Sequence, residues 1–173
     1  FWMHAEFSPE AESKLQAANS DIHLGEEERQ ELLLKAARKG AEGMVELLLE
    51  RGADVNRQGA HGETALYEAV RKGAAASVVE RLINAGATPQ GDVGGSTLLC
   101  LAAGRNDLDV MHMLMGVVGQ PNPADRTGWT PLHSAAQAGA IDVIRVLLEA
   151  GAAPTADRNG VSPLHCAAKS GSA

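Results

Sequence analysis

The sequence predicts an all-α solenoid, a single-file stack of short helix pairs, and three observations predict it. The chain repeats itself at steps of 33: Thr130 recurs as Thr97 and Thr64, Glu31 holds the same place one step earlier, and Ser162 follows after 32. Self-similarity of this period marks a repeat architecture. Glycines and prolines also fall at fixed offsets inside each period, where helices would stop and start. Finally, aromatic residues make up only 3% of the 173 residues, too little bulk for a deep interior but enough for a one-layer core of Leu, Val and Ala.

Residues 1–25 precede the repeats and are predicted to be an acidic, disordered segment. Residues 1–30 hold seven acids against Lys14 and Arg29, whereas the chain as a whole is at -7. Both phenylalanines and one of the two tryptophans lie in the opening FWMHAEF, and no initiator Met leads it. Two readings stay open: residues 1–7 are a vector-derived remnant ahead of native disorder, or the acidic and aromatic residues dock on a basic groove of the same or a neighbouring molecule.

The repeat domain spans 26–173, with units at about 26–58, 59–91, 92–124, 125–156 and an incomplete one at 157–173. The clearest copy is GWTPLHSAAQAGAIDVIRVLLEAGAAP from Gly128, matched in part by GVSPLHCAAKSG, GETALYEAVRKG and GGSTLLCLAAGRN. Thr or Ser caps the first helix of a unit, Pro131 and Pro163 occupy its first position, and Gly40, Gly73, Gly139 and Gly171 end it. Asn106 replaces that glycine in the third unit, and Asn is the best substitute where the backbone is left-handed. The second helix carries Val143, Val146 and Leu147 on one face, matched by Val110, Met113 and Leu114. It ends near Gly52, Gly86, Gly119 and Gly151, with Pro89, Pro121 and Pro154 blocking continuation. Small pairs such as Ala36/Ala37 and Ala135/Ala136 let first helices approach closely, so the units bury a continuous seam. Because the last unit stops after one helix, its apolar face lacks a polar cap, and the natural chain is expected to continue past Ala173.

The TPLH tetrapeptide, the following Ala-Ala and Gly, and GADVN in the first unit together resemble the ankyrin repeat family over about Glu26 to Ala173. The resemblance implies hairpin loops protruding between units, a concave groove lined by hairpin tips and first helices, and protein binding without chemistry of its own. The TPLH histidine is kept at His133 and His165 but replaced by Leu34, Tyr67 and Cys100, so its hydrogen bonds to neighbouring turns are expected to be missing there. Asn56, ending LLERGADVN, sits in a context like that of asparagine hydroxylation in this family.

Candidate chemistry fails for want of convergence, so no catalytic residue, metal site or cofactor is predicted. The six histidines form no metal-ligand spacing with a cysteine or with one another. Cys100 and Cys166 lie two units apart, ~20 Å at helix-packing distances, beyond the ~7 Å a disulfide tolerates; they read as buried fillers. Two unpaired cysteines suit a reducing, intracellular setting, cytoplasm or nucleus. The cluster Gly91, Gly94 and Gly95 lacks the strand and lysine of a phosphate loop and reads as a hairpin tip. Met111, Met113 and Met115 spread over several helix faces and read mainly as core filling. A methyl-lysine cage is disfavoured because the repeats hold only Tyr67 and Trp129 as aromatics. The acidic balance argues against nucleic acid, and no apolar run is long enough to insert in a membrane.

What remains is a binding surface. The ends of the first helices place Arg38 and Lys39, Arg71 and Lys72, Arg105, Gln137 and Lys169 in register. The hairpin tips add His61 and Glu63, Val93 and Ser96, Arg126 and Trp129, and Arg158 and Asn159. Cations recurring every 33 residues line up into a basic ridge on an acidic chain, which favours an extended acidic peptide or protein segment, with Trp129 as its anchor. The competing explanation is that basic residues simply suit helix C-termini and that Trp129 packs. The function expected is therefore a scaffold or adaptor that grips a partner protein. The alternative is a regulatory or substrate-recruiting domain excised from a larger enzyme, channel or ubiquitin-ligase adaptor.

Overall fold

The computed structural model describes residues 25–89 and 97–171. Among them are nine α-helices and no strands. They are α1 (Glu26–Lys39), α2 (Glu42–Glu50), α3 (Ala65–Lys72), α4 (Ala76–Asn84), α5 (Leu98–Gly104), α6 (Leu108–Val118), α7 (Pro131–Ala138), α8 (Ile141–Glu149) and α9 (Pro163–Ser170). The odd-numbered helices pack on one another in one row, the even-numbered in a second, and each pair packs internally. This is the stacked solenoid expected from the 33-residue period.

Local chemistry sets the helix ends. The Thr64 hydroxyl accepts the Tyr67 N–H at 3.2 Å, Thr97 accepts that of Cys100 at 3.2 Å, and Ser162 that of His165 at 3.4 Å, each satisfying a donor that the first turn leaves unpaired. In the first unit Glu31, aligned with these caps, lies inside α1 instead. Helix α1 begins earlier, at three consecutive glutamates suited to a helix N-terminus, and the Glu28 carboxylate accepts the Gly25 N–H at 3.1 Å. Asn106 takes the left-handed backbone, φ 56°, that glycine supplies elsewhere, as its place in the repeat predicts.

The core is one layer deep. Leu33, Leu66, Leu99 and Leu132 recur along the first row, Leu48, Leu82, Leu114 and Leu147 along the second, and all are buried. Between the rows' close approaches sit Ala36, Ala69, Ala102 and Ala135, each 0% exposed. Met111 is buried, with Met113 and Met115 packed at the core's edge. In the last unit Leu164, the counterpart of Leu132, is 76% exposed against 3%, because no second helix follows α9 among the described residues.

Units are also tied by polar bonds. Thr130 N–H donates to His133 Nδ1 at 3.1 Å, which leaves the proton on Nε2 to reach the Val161 carbonyl of the next loop at 2.9 Å. Where Cys100 replaces the histidine, its Sγ meets the Trp129 carbonyl at the long distance of 3.9 Å, and Leu34 has no polar atom to offer. Further out, the Asn56 amide donates to the Gly86 carbonyl at 2.9 Å and accepts from Thr88 N–H at 2.8 Å, binding the first unit to the second.

Candidate partner-binding groove

The first helices and the loops that precede them form one face of the stack, and the hairpins begin with their own carboxylates. Asp125 Oδ1 accepts the N–H groups of Thr127 and Trp129 at 2.8 and 2.9 Å, and Asp157 does the same for Asn159 and Val161 at 2.9 and 2.8 Å. Those backbone bonds, the larger influence, outweigh burial and hold the Asp157 carboxyl below its ordinary value. The Arg158 N–H reaches the Thr127 carbonyl at 2.9 Å and links adjacent hairpins.

In the first hairpin the aspartate is replaced by Gly59, and Glu63 takes its part from the other side of the turn, accepting the His61 N–H at 2.8 Å. A Cβ at residue 59 would collide with the Glu63 carboxyl and Leu34, so glycine is what admits this arrangement. Glu63 is consequently buried, 8% exposed. Its carboxylate bonds to the turn's own backbone, and the residue walls a surface cleft with Arg38, Arg57 and His61. His61, Arg126 and Arg158 are exposed on the tips. Val93 and Ser96 of the second hairpin, like residues 1–24 and the cluster at Gly91, Gly94 and Gly95, lie outside the described residues.

The groove's basic end is built around an acid that the repeat pattern does not announce. Glu68 on α3 is 3% exposed and accepts three N–H bonds: from Arg38 Nε at 2.7 Å, Arg71 Nε at 3.0 Å and the Arg71 terminal nitrogen at 2.9 Å. Burial pushes its carboxyl up, but the hydrogen bonds and charges of Arg71 and Arg38 prevail and hold it below 4.5. Arg38 reaches across from α1, so the cluster clamps the first unit to the second. Arg105, exposed at the end of α5, lays its guanidinium over Gly73, where a Cβ would strike it. Three arginines thus follow one another along the groove, two of them pinned by one carboxylate, with Lys39 and Lys72 exposed beside them.

The other end of the groove is apolar. Trp129 stacks on His133 with ring centroids 4.9 Å apart and donates its indole N–H to the Ser134 hydroxyl at 2.8 Å. One part of its role is therefore packing, yet the ring stays half-buried and walls a cleft of about 610 Å³ with Gln137, Val161, His165, Cys166 and Lys169. Gln137 and Lys169 are exposed at its rim. Both cysteines are buried and unpaired. Among the described residues no group of His, Cys, Asp and Glu could hold a metal ion, and no helix is long and apolar enough to cross a membrane.

A single-file stack of helix pairs joined by hairpin turns defines a helical repeat protein of the solenoid class. A family model described as ankyrin repeats in three copies matches residues 6–92 and 99–173. A putative ankyrin repeat protein of Rickettsia bellii is 32% identical over 126 residues, covering 72% of this chain and 70% of that protein. Rabankyrin-5 of Mus musculus is 32% identical over an alignment of 170 residues that covers 74% of this chain and 14% of that protein. A third relative, ankyrin repeat, SAM and basic leucine zipper domain-containing protein 1 of Dasypus novemcinctus, is 34% identical over an alignment of 134 residues that covers 75% of this chain and 28% of that protein. The chain belongs to the ankyrin repeat family. Ankyrin repeats generally serve as protein–protein interaction modules and typically carry no chemistry of their own.

Proposed function

We propose that this domain grips an acidic segment of a partner protein in its concave groove, within the reducing interior of a cell. The observation that carries the reading is the row of Arg38, Arg71 and Arg105, in which one buried carboxylate orients two of the three guanidiniums. Preorganised arginines lose less side-chain entropy on binding a carboxylate than free ones do. The -7 net charge of the chain makes the row a local feature that long-range attraction would not produce, so the expected binding is short-ranged and salt-sensitive.

Arg71 itself is a poor residue for charge reversal, because a carboxylate there would face Glu68. Lys72→Glu with Arg105→Glu tests the reading instead. A fluorescein-labelled tetraglutamate peptide should bind the double variant at least about tenfold more weakly at low salt, with a flatter salt dependence. Unchanged affinity would overturn the proposal.

A second reading is favoured by the shares of Rabankyrin-5 and of the SAM and leucine zipper relative that the chain matches, 14% and 28%: the same groove then recruits a partner to a larger polypeptide. Separately, we propose Asn56 as a hydroxylation site; it is exposed on the first loop, and mass spectrometry of the protein from its native cells tests this, an unmodified peptide removing it.

A further inference from the structure

The groove's two halves differ in chemistry, and a single ligand that satisfied only one of them would leave the other in water. The half formed by the first three units presents Arg38 and Arg71 around Glu68, with Arg105 over Gly73. The half formed by the last two presents the cleft between Trp129 and Lys169, whose walls are mostly carbon. Its volume of about 610 Å³ lies within the ~300–1,000 Å³ of sites that enclose small ligands, so it admits a large side chain. Trp129 cannot swing out to fill it, since the indole is held by His133 and Ser134. The cleft is thus preformed and apolar, with one cation, Lys169, at its rim.

We infer that the groove reads a two-part segment: consecutive carboxylates over the arginine row, and one large apolar side chain, Phe or Leu, lodged in the cleft beside Trp129. This rests on the acidic-partner reading above and adds a spacing to it. First helices in a stack stand ~10 Å apart, and the cleft between α7 and α9 lies about two to two and a half steps from α3. An extended chain advances ~3.3 Å per residue. The carboxylates and the apolar anchor are therefore separated by ~6–8 residues. Charge complementarity selects this occupant over a purely apolar one: a greasy helix laid in the groove would bury the Arg38–Glu68–Arg71 cluster without giving its outward nitrogens any acceptor. Lys169 at the rim likewise donates to a carboxylate beside the anchor.

Synthetic labelled peptides carrying four glutamates and a Phe test the spacing by fluorescence anisotropy. The Phe is placed seven residues or one residue away, on either side of the acidic block, or replaced by Ala. One of the two seven-residue peptides should bind at least about tenfold more tightly than its Ala and one-residue counterparts. Gln137→Trp, at an exposed position on the cleft's rim, and Trp129→Ala should each remove that gain, so that the seven-residue Phe peptide binds no more tightly than its Ala counterpart. Since Trp129 also packs, circular dichroism of its variant confirms folding, and the Gln137 variant stands on its own. If the Ala peptide binds and responds to Lys72→Glu/Arg105→Glu, but Phe adds nothing at either spacing, the two-part reading fails and the acidic-partner reading stands. A gain from Phe that persists in both cleft variants overturns the placement of the anchor. If no peptide responds to the charge variants, both readings fall.

Discussion

Removing Arg38 and Arg71 together isolates what they do for Glu68. The carboxylate is 3% exposed and takes one N–H bond from Arg38 and two from Arg71. Arg38→Ala leaves the two bonds from Arg71, and because the Arg38 side chain is 44% exposed, solvent screening limits the cost to about 1 kcal/mol. Arg71→Ala leaves the bond from Arg38 and, with a 38% exposed side chain, costs about the same or slightly more. The double variant strands a buried carboxylate with neither donor nor countercharge. A buried pair stripped of its partner costs about 3–5 kcal/mol, so the double variant should lose roughly 4 kcal/mol, about 2 kcal/mol beyond the sum of the singles. The pH dependence carries an independent sign. In the wild type the Glu68 carboxyl is held below 4.5, so its contribution is present above the unfolded value and lost as pH falls through the folded one. In the double variant burial acts unopposed and raises the folded value, so stability is full at low pH and declines as pH rises through that value. The gap between the two proteins should therefore be wider at pH 7 than at pH 5. Glu42, held low by its bonds to Arg81 and Ser77, and Asp157 titrate alike in both proteins and cancel. Urea denaturation of the four proteins at both pH values measures this. Additive costs, with the same gap at pH 5 and pH 7, would refute the reasoning.

Three further perturbations separate the roles of single residues. His133→Leu removes the bonds to Thr130 and to the Val161 carbonyl from a fully buried site and should cost about 2 kcal/mol, whereas His165→Leu, at an exposed site, should cost less than about 0.5 kcal/mol; thermal midpoints read both. Asn106→Ala forces a Cβ without a compensating amide into the left-handed backbone and should cost about 1 kcal/mol, while Asn106→Gly should be neutral or stabilising. Burial pushes the Cys100 and Cys166 thiols up, so iodoacetamide at pH 8 should alkylate them slowly in the folded protein and rapidly in urea, as followed by intact mass.

The parts of this molecule that the sequence makes legible are those that a repeat states several times. A threonine or serine that caps four first helices, a glycine that ends three of these and the first helix of the stack, and the asparagine that replaces it at residue 106 all act on backbone atoms within four residues, so spacing alone specifies them. The site was legible only by column. Stepping back three residues from Arg38, Arg71, Arg105, Gln137 and Lys169 gives Lys35, Glu68, Ala102, Ser134 and Cys166, a column with no recurring residue type. Yet it holds two decisive side chains: Glu68, which fixes Arg38 and Arg71, and Ser134, which fixes the Trp129 indole. Their partners come from another unit or from a loop five residues away, and such pairings are set by how units stack. Glu68 did leave one local trace, its i,i+3 spacing to Arg71, which resembles an ordinary exposed helix pair. What makes it different is burial, and burial at that position follows from Arg38 reaching over from α1. Glu63 escaped for the same reason in miniature: the glycine at residue 59 looks like a turn residue, and only the folded hairpin shows that its missing side chain makes room for the carboxylate four residues on. A reading confined to what recurs therefore finds the row of cations and misses the acid that orients two of them. That acid, present in a single unit, fixes which nitrogens of Arg38 and Arg71 it leaves unbonded.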